Sequence, residues 1–561
     1  MSHLDELDTL LIDCQATGSS PAHGRLLEFG WVRARPADGR AAEDLDVVSF
    51  LVAGPDDEDV PRRVRELTGI EASMLEGAST MESIESRFLK DARAVDLLIA
   101  HYATFEKRFL KAEVGLRHPD AFRDLEFFCT HELARRLFPD LPRRGIRAMA
   151  GYFGYDLPEK KRVEPHLRGT HVIWTELLRV LKETEDIRTR AELEQWMEAT
   201  DPGRTEEGYS FPVSREDRLS IPDHPGTYRM KDRADRILYV GKARSLKDRV
   251  NTYFQSGRSL SERKLELVSR VHDVAYRRTD TPLEAALAET REIKRHDPPY
   301  NTALVPGRGD VWYVDPALRR FRDGPASRST IGPVHGRRNL LQLRDVIDRV
   351  RGRSGPGPAS SRFGRLLSEP AFDEGWKQFL ERHDLPPEQG EAGLERFLRI
   401  GRILWEEWRE RERTEDEDEP EDSAGADRDH RSPDQMTSYL ESMVRRAARD
   451  VRVANWLSGI RGWSLAWKPR VGVPDGCWRC LRGTPEQVCS RETVEERPHP
   501  SSIGPPPDDV DPITGLRAFD RMRVLTTELK RLIRRERPVV LRASKVGGLT
   551  ANELAEALWW V

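Results

Sequence analysis

"GTYRMKDRADRILYVGKARSLKDRVNTYF", residues 226–254, is the stretch on which the reading of this chain turns. "GTYRM" and "ILYVG" read as two strands joined by a polar turn, which brings Tyr228 and Tyr239 into one neighbourhood. A helix follows, with Ser245 as its expected N-cap. Arg249 and Tyr253 lie four residues apart and share a helical face. Further along, "TPLEAALAETREIKRHDPPYN" carries its own start signal: Thr281 as cap, Pro282 at the first helical position, and Glu284 to complete a capping box. Leu283, Ala286, Leu287 and Ile293 give that helix an apolar side, with Glu289 near its edge.

This constellation resembles the GIY-YIG nucleases, specifically the amino-terminal nuclease domain of the excinuclease ABC incision protein and its shortened homologues. The resemblance covers residues 222–304 and extends towards 350. Gly226-Thr227-Tyr228 stands for the first family motif and Tyr239-Val240-Gly241 for the second. It implies that Tyr228, Tyr239, Lys242, Arg249, Tyr253 and Asn301 are catalytic residues and that Glu289 is the ligand of one metal ion. Such a group suits phosphodiester hydrolysis. One divalent ion polarises the phosphate and stabilises the leaving 3′ oxygen. An arginine fork binds a non-bridging oxygen, and a tyrosine, Tyr239 by resemblance, takes the proton from water. A single carboxylate in an all-oxygen site suits Mg²⁺ or Mn²⁺ better than zinc. The local charge agrees: residues 222–304 hold 17 Lys and Arg against 12 Asp and Glu, within a chain of net charge −4. A basic segment in an acidic chain favours DNA as partner.

A second resemblance precedes it. "LLIDCQATG", "VPRRVRELTGIEASML", "LLIAHYATFEKRFL" and "EPHLRGTHVIWTELL" follow the landmarks of the DEDD 3′–5′ exonucleases, the polymerase III epsilon-like proofreading class. That family binds two metal ions with four carboxylates and activates water with a histidine. Asp13 matches the first acid, Gln15 replaces the second, Glu106 stands for the third, His171 replaces the last, and His166 matches the base. Two of the four compensating charges are lost. The expectation is therefore a degenerate site whose groove binds DNA, with a single-metal site at Asp13, Glu106 and His171 as the alternative.

The expected fold class is α/β multidomain: an RNase H-like exonuclease fold, a small α/β GIY-YIG domain and a mostly helical C-terminal region. The expected divisions are 1–185 exonuclease-like, 186–220 connector, 221–304 GIY-YIG, 305–352 an extension like that of the excinuclease incision protein, 353–413 helical, 414–434 acidic disordered linker and 435–561 of unknown function. Seven of the eight residues from Glu415 to Asp422 are acidic, and such a run repels itself. The C-terminal "GCWRCLRGTPEQVC" makes Cys477, Cys480, Cys489 and His499 a zinc candidate, with buried or free thiols as the favoured reading. Trp456, Trp463, Trp467 and Trp478 suit base stacking or, in the favoured reading, core packing. "LTTELKRLIRRERP" is a basic amphipathic helix, read as a solvated face or a contact with DNA or a partner.

No signal peptide and no run of 18 apolar residues occurs, so a cytoplasmic protein without membrane contact is expected. The functional expectation is a metal-dependent DNA endonuclease making one 3′-side incision in excision-type repair. An excision-repair helicase subunit is a candidate partner, although no counterpart of the family's helicase-binding helical hairpin is found in the chain. An active 3′–5′ exonuclease and a non-catalytic damage-binding scaffold are the alternatives.

Overall fold

The computed structural model describes residues 3–559, except 55–58, 200–207, 256–259, 306–309, 328, 352–366, 368–369, 386–393, 413–431, 470–472, 508–509, 536–537 and 544–546. Most of the expected acidic linker, and the loop "SGPGPASS", lie outside the described residues.

The first sheet comprises β1 (Thr9–Ala16), β2 (Leu26–Ala34), β3 (Val48–Leu51), β4 (Leu97–Ala100) and β5 (Phe127–Cys129), in the order β3-β2-β1-β4-β5. β1 pairs antiparallel with β2 and parallel with β4. Seven of the eight β1 residues are buried. A central strand covered on both faces needs such a continuous apolar run. Leu11 faces a core shared with Leu167 and Trp174, and Leu10 and Ile12 face one shared with Phe29 and Phe88. Among the helices of this part are α1 (Met81–Ala92), α2 (Ala103–Leu110), α3 (Thr130–Leu137), α4 (Ile146–Tyr152) and α5 (Val163–Val180). Arg162 clamps Glu28 through two bonds of 2.8 and 2.9 Å, and the Val163 N–H also donates to Glu28. These bonds tie the start of α5 to β2.

The second sheet has the order β7-β6-β8, from β6 (Gly226–Lys231), β7 (Ile237–Ala243) and β8 (Asp273–Arg278). Around it lie α6 (Leu246–Asn251), α7 (Glu262–Arg270) and α8 (Pro282–His296). Ser245 accepts from the Asp248 N–H and caps α6 as expected. The first two parts dock through α4 and α7. There Arg270, fully buried, donates to Asp156 at 2.7 Å and to the Tyr300 hydroxyl at 3.0 Å. Gly151 makes this approach feasible, because a Cβ there would stand 2.1 Å from Arg270 Nε.

Next come β9 (Val311–Val314), β10 (Phe321–Arg322), β11 (Ile331–His335) and α9 (Arg338–Val350). The helical α10 (Ala371–Arg382), α11 (Leu394–Glu412) and the long α12 (Pro433–Gly459) follow. The helical C-terminal region also holds a five-stranded antiparallel sheet, of which the sequence pattern signals only the strand near its end. That sheet is β12 (Trp463–Trp467), β13 (Trp478–Gly483), β14 (Val488–Val494), β15 (Val539–Ala543) and β16 (Gly547–Leu549), in the order β14-β13-β12-β15-β16. The helix α13 (Leu516–Arg534) packs beneath it and onto α8, and α14 (Ala551–Trp559) ends the described chain. Leu283 and Leu287 of α8 enter the same apolar core as Trp463, Phe519 and Leu525.

Candidate active sites and their relatives

Antiparallel pairing sets Tyr228 of β6 opposite Gly241 of β7. The Tyr228 ring crosses directly over that glycine, where a Cβ would lie 2.4 Å from the hydroxyl. The glycine of the second motif is thus the space that lets one tyrosine reach the other. Tyr228, Tyr239 and Tyr253 form a triangle with ring centroids 6.0–6.3 Å apart. The Tyr228 hydroxyl donates to that of Tyr253 at 3.3 Å. Arg249 donates to the Tyr253 hydroxyl and lies over its ring, 5.3 Å from the centroid.

Glu289 of α8 accepts from the Lys242 backbone N–H at 3.1 Å and pairs with Lys242 Nζ at 3.4 Å. Burial nevertheless holds its carboxyl above the ordinary range; Lys242 opposes the shift and Glu528 reinforces it. Burial, reinforced by the neighbouring phenols, also pushes the hydroxyls of Tyr228 and Tyr239 upwards, so neither is predisposed to ionise. A buried hard-oxygen ligand with more burial than positive charge to balance it fits a divalent cation. Asn301 stands apart from this cluster. Its amide accepts from the Val240 N–H and donates to the Val240 carbonyl, at 3.0 and 2.9 Å. Its geometry is that of a clamp on β7.

One local expectation needs correction. Thr281 caps α8, but the Glu284 carboxylate accepts from the Thr281 hydroxyl and from Arg479 instead of closing a capping box. Arg479 belongs to β13, and its charge outcompetes a backbone N–H.

In the first domain, Asp13 and Gln15 in the second half of β1, Glu106 and His166 are buried together. Gln15 Nε2 donates to Asp13 at 3.0 Å and lies 3.4 Å from His166 Nδ1, which is itself 3.4 Å from Asp13. The Glu106 carboxyl, one oxygen of which has no hydrogen-bond partner, is pushed well above its ordinary value by burial and then by Asp13. His171 turns away and meets the Arg40 carbonyl at 3.0 Å. The alternative single-metal set of Asp13, Glu106 and His171 therefore does not assemble. With Gln15 neutral and His171 diverted, the residues do not fit a pair of metal ions.

Among the described residues, no group of three or more His, Cys, Asp and Glu could hold a metal, which overturns the zinc candidate. Cys480 sits within β13 opposite Ala466 and Glu492, Cys489 is exposed on β14, and Cys477 is a free thiol. His499 hydrogen-bonds Ser501. Trp456, Trp463, Trp467 and Trp478 are all buried, so they pack the core and cannot stack on bases. Glu528 and Arg479, which reach the nuclease domain from the C-terminal helix and sheet, are functional candidates that the sequence does not single out. The basic pattern of α13 points only to the neighbourhood of Glu528.

Fold and site together define a chain built from two nuclease-type domains. Residues 10–167 match the exonuclease family and residues 224–302 the UvrC-like GIY-YIG domain family. The chain thus joins an exonuclease-family domain to a UvrC-like GIY-YIG domain. UvrABC system protein C of Symbiobacterium thermophilum is 48% identical over 99 residues, 18% of this chain and 15% of that protein. A protein of Mycobacterium tuberculosis named putative bifunctional exonuclease/endonuclease protein is 28% identical over 304 residues, 52% of this chain and 45% of its own length. This chain spans less than half the length of these two curated relatives. The solved N-terminal endonuclease domain of Thermotoga maritima UvrC, described as bound to magnesium, aligns at 26% identity with a TM-score of 0.15. That alignment covers 16% of this chain and 94% of that domain. No helix among the described residues is long and apolar enough to cross a membrane.

Proposed function

We propose that the chain is a metal-dependent DNA endonuclease whose chemistry lies in the GIY-YIG domain, with the exonuclease-like domain serving as a DNA-binding module. The carrying observation is that Lys242 pairs with Glu289, whose charge also acts on Tyr239, while Arg249 binds Tyr253 within the same tyrosine triangle. Arg249 binds a non-bridging phosphate oxygen through its donor fork. Tyr228 and Tyr253, linked by their hydroxyls, hold Arg249 in place. Tyr239 orients the attacking water through its phenol oxygen. Lys242 draws negative charge towards the site and keeps Glu289 aligned. A Mg²⁺ or Mn²⁺ ion held by Glu289 would supply Lewis acidity towards the phosphate and the leaving 3′ oxygen.

The repair reading, a single 3′-side nick beside a lesion in cytoplasmic DNA, rests on the kinship with UvrABC system protein C. An excision-repair helicase subunit is the partner that kinship suggests. A lesion-bearing duplex labelled separately at each 5′ end tests the proposal. A discrete nick, present with Mg²⁺ or Mn²⁺ and absent from Glu289→Gln alone, is the expected result. A ladder of 3′-shortened products that disappears only in Asp13→Ala would move the chemistry to the first domain.

A further inference from the structure

The last part of the chain does more than pack behind the nuclease domain. Where α13 crosses the end of β7 and the start of α8, a groove of about 520 Å³ opens, within the size range of ligand-binding clefts. Its floor is apolar, formed by Pro282, Leu283, Trp467 and Leu532. Its rim carries Arg244 from the nuclease domain, Lys468 just after β12, Arg531 from α13 and Arg535 at the C-cap of α13. Asp223 and Glu528 are the acids that line it.

Glu528 is already engaged. It is buried, accepts from Arg531, and lies 3.4 Å from Lys242 Nζ, the lysine that also pairs with Glu289. One carboxylate therefore joins the groove wall to the candidate active site. The remaining rim charge is positive and crowded. The Arg244 guanidinium is held below its ordinary value by burial and then by repulsion from Arg535, with Arg531 adding to it and Glu528 opposing. Arg244, Lys468 and Arg535 thus stand over an apolar floor whose one buried acid, Glu528, is already shared by Arg531 and Lys242. The walls are also fixed: Lys294 of α8 pairs with Asp520 of α13 at 2.6 Å, both largely buried, and Arg479 pairs with Glu284 at 2.9 Å.

We propose that this groove binds the DNA strand that runs from the scissile phosphate, with its phosphates on Arg244, Lys468 and Arg535 and its sugar edges on the partly exposed Pro282 and Leu532 of the apolar floor. The C-terminal region is then a substrate clamp spanning two domains. The inference rests on the endonuclease reading for the position of the scissile phosphate, but its test does not depend on cleavage. Binding of a fluorescein-labelled single-stranded DNA and of the matching duplex is measured against salt, without metal, in a Glu289→Gln background of the full chain. Arg244→Ala/Arg535→Ala is compared with Arg320→Ala/Arg322→Ala, which removes the same charge from exposed positions at β10.

Removing one charged phosphate partner lowers the slope of log affinity against log salt by about 0.7–0.9. The groove pair is expected to lower it by about 1.4–1.8 and to weaken binding at least about 10-fold, while the β10 pair leaves the slope in place. Lys468→Ala, an exposed single substitution, is expected to take about half that effect. An unchanged slope in the groove variants, or an equal fall in the β10 pair, overturns the groove and leaves the endonuclease reading standing. A groove-specific fall in slope in a protein whose native sequence makes no nick upholds the groove and defeats the endonuclease reading.

Discussion

Two nuclease-type sites share this chain, and they treat their acids in opposite ways. In the exonuclease-like domain, Asp13 is bound by Gln15 and His166, and Glu106 is buried beside it with one oxygen unpartnered. In the GIY-YIG domain, the single acid Glu289 meets Lys242, with Arg249 across the tyrosine triangle. The first site has kept acids but lost the arrangement that would gather them around cations. The second has one acid beside groups whose chemistry suits a phosphate. The number of carboxylates is therefore a poor measure of competence; what each carboxylate is free to bind decides it.

The largest effect that could break this contrast is the loss of Glu289. Glu289→Gln is expected to lower nicking at least about 100-fold in single-turnover assays, while Asp13→Asn leaves it within about twofold of the unaltered protein, the size of an indirect effect. Equal losses in both would erase the distinction between the sites. Next in size is Gly241→Ala, because the added methyl meets the buried Tyr228 ring. Urea unfolding should show a loss of about 1–3 kcal/mol, accompanied by reduced nicking as Tyr228 is displaced.

The contrast is sharpened by restoring the missing acid. Gln15→Glu, built on Glu289→Gln to silence the other site, places a third carboxyl beside Asp13 and Glu106. We expect it to cost about 0.5–3 kcal/mol without metal and to regain part of that in Mn²⁺, read as a metal-dependent rise in Tm. A Tm indifferent to Mn²⁺ would mean that His171 and its Arg40 partner keep the site closed to cations.

The smallest effect concerns acid. His101, at the end of β4, has a pKa lowered from 6.5 to about 3, chiefly by burial. The unfolded chain gains a proton below pH 6.5 that the folded chain refuses until about 3. The stability is therefore intact above pH 6.5 and is lost as the pH falls through that window. Between pH 6.5 and 5.5 the loss from this group stays under about 1.4 kcal/mol. His101→Gln should lose correspondingly less on acidification in urea titrations. If both proteins respond alike, the acid response arises from other groups.

Much of this is legible locally. The strands at Thr9–Ala16, Leu26–Ala34 and Leu97–Ala100 announce themselves as apolar runs because each is buried on both faces. The order Tyr228, Tyr239, Lys242, Arg249, Tyr253 is short in sequence, so a hairpin and one helix turn suffice to gather it. The zinc reading fails because β13 and β14 pair in a register that places Cys480 opposite Glu492, and thiol spacing says nothing about pairing. Trp463 and Trp467 are buried because their sheet is covered by α13, and Trp478 because Ile503 covers the other face, which composition does not reveal.

Sequence by itself determined the two nuclease-type domains and the residue types of both sites, since those motifs are short and carry their own turn and cap signals. Only the tertiary structure decided which groups meet: His171 turned to Arg40, Asn301 clamped on Val240, and Glu528 brought beside Lys242 across 286 residues of chain. The physical reason is distance along the chain. Local dihedral preferences and apolar periodicity act over a few residues, whereas a buried carboxylate finds its partner only after whole domains have packed.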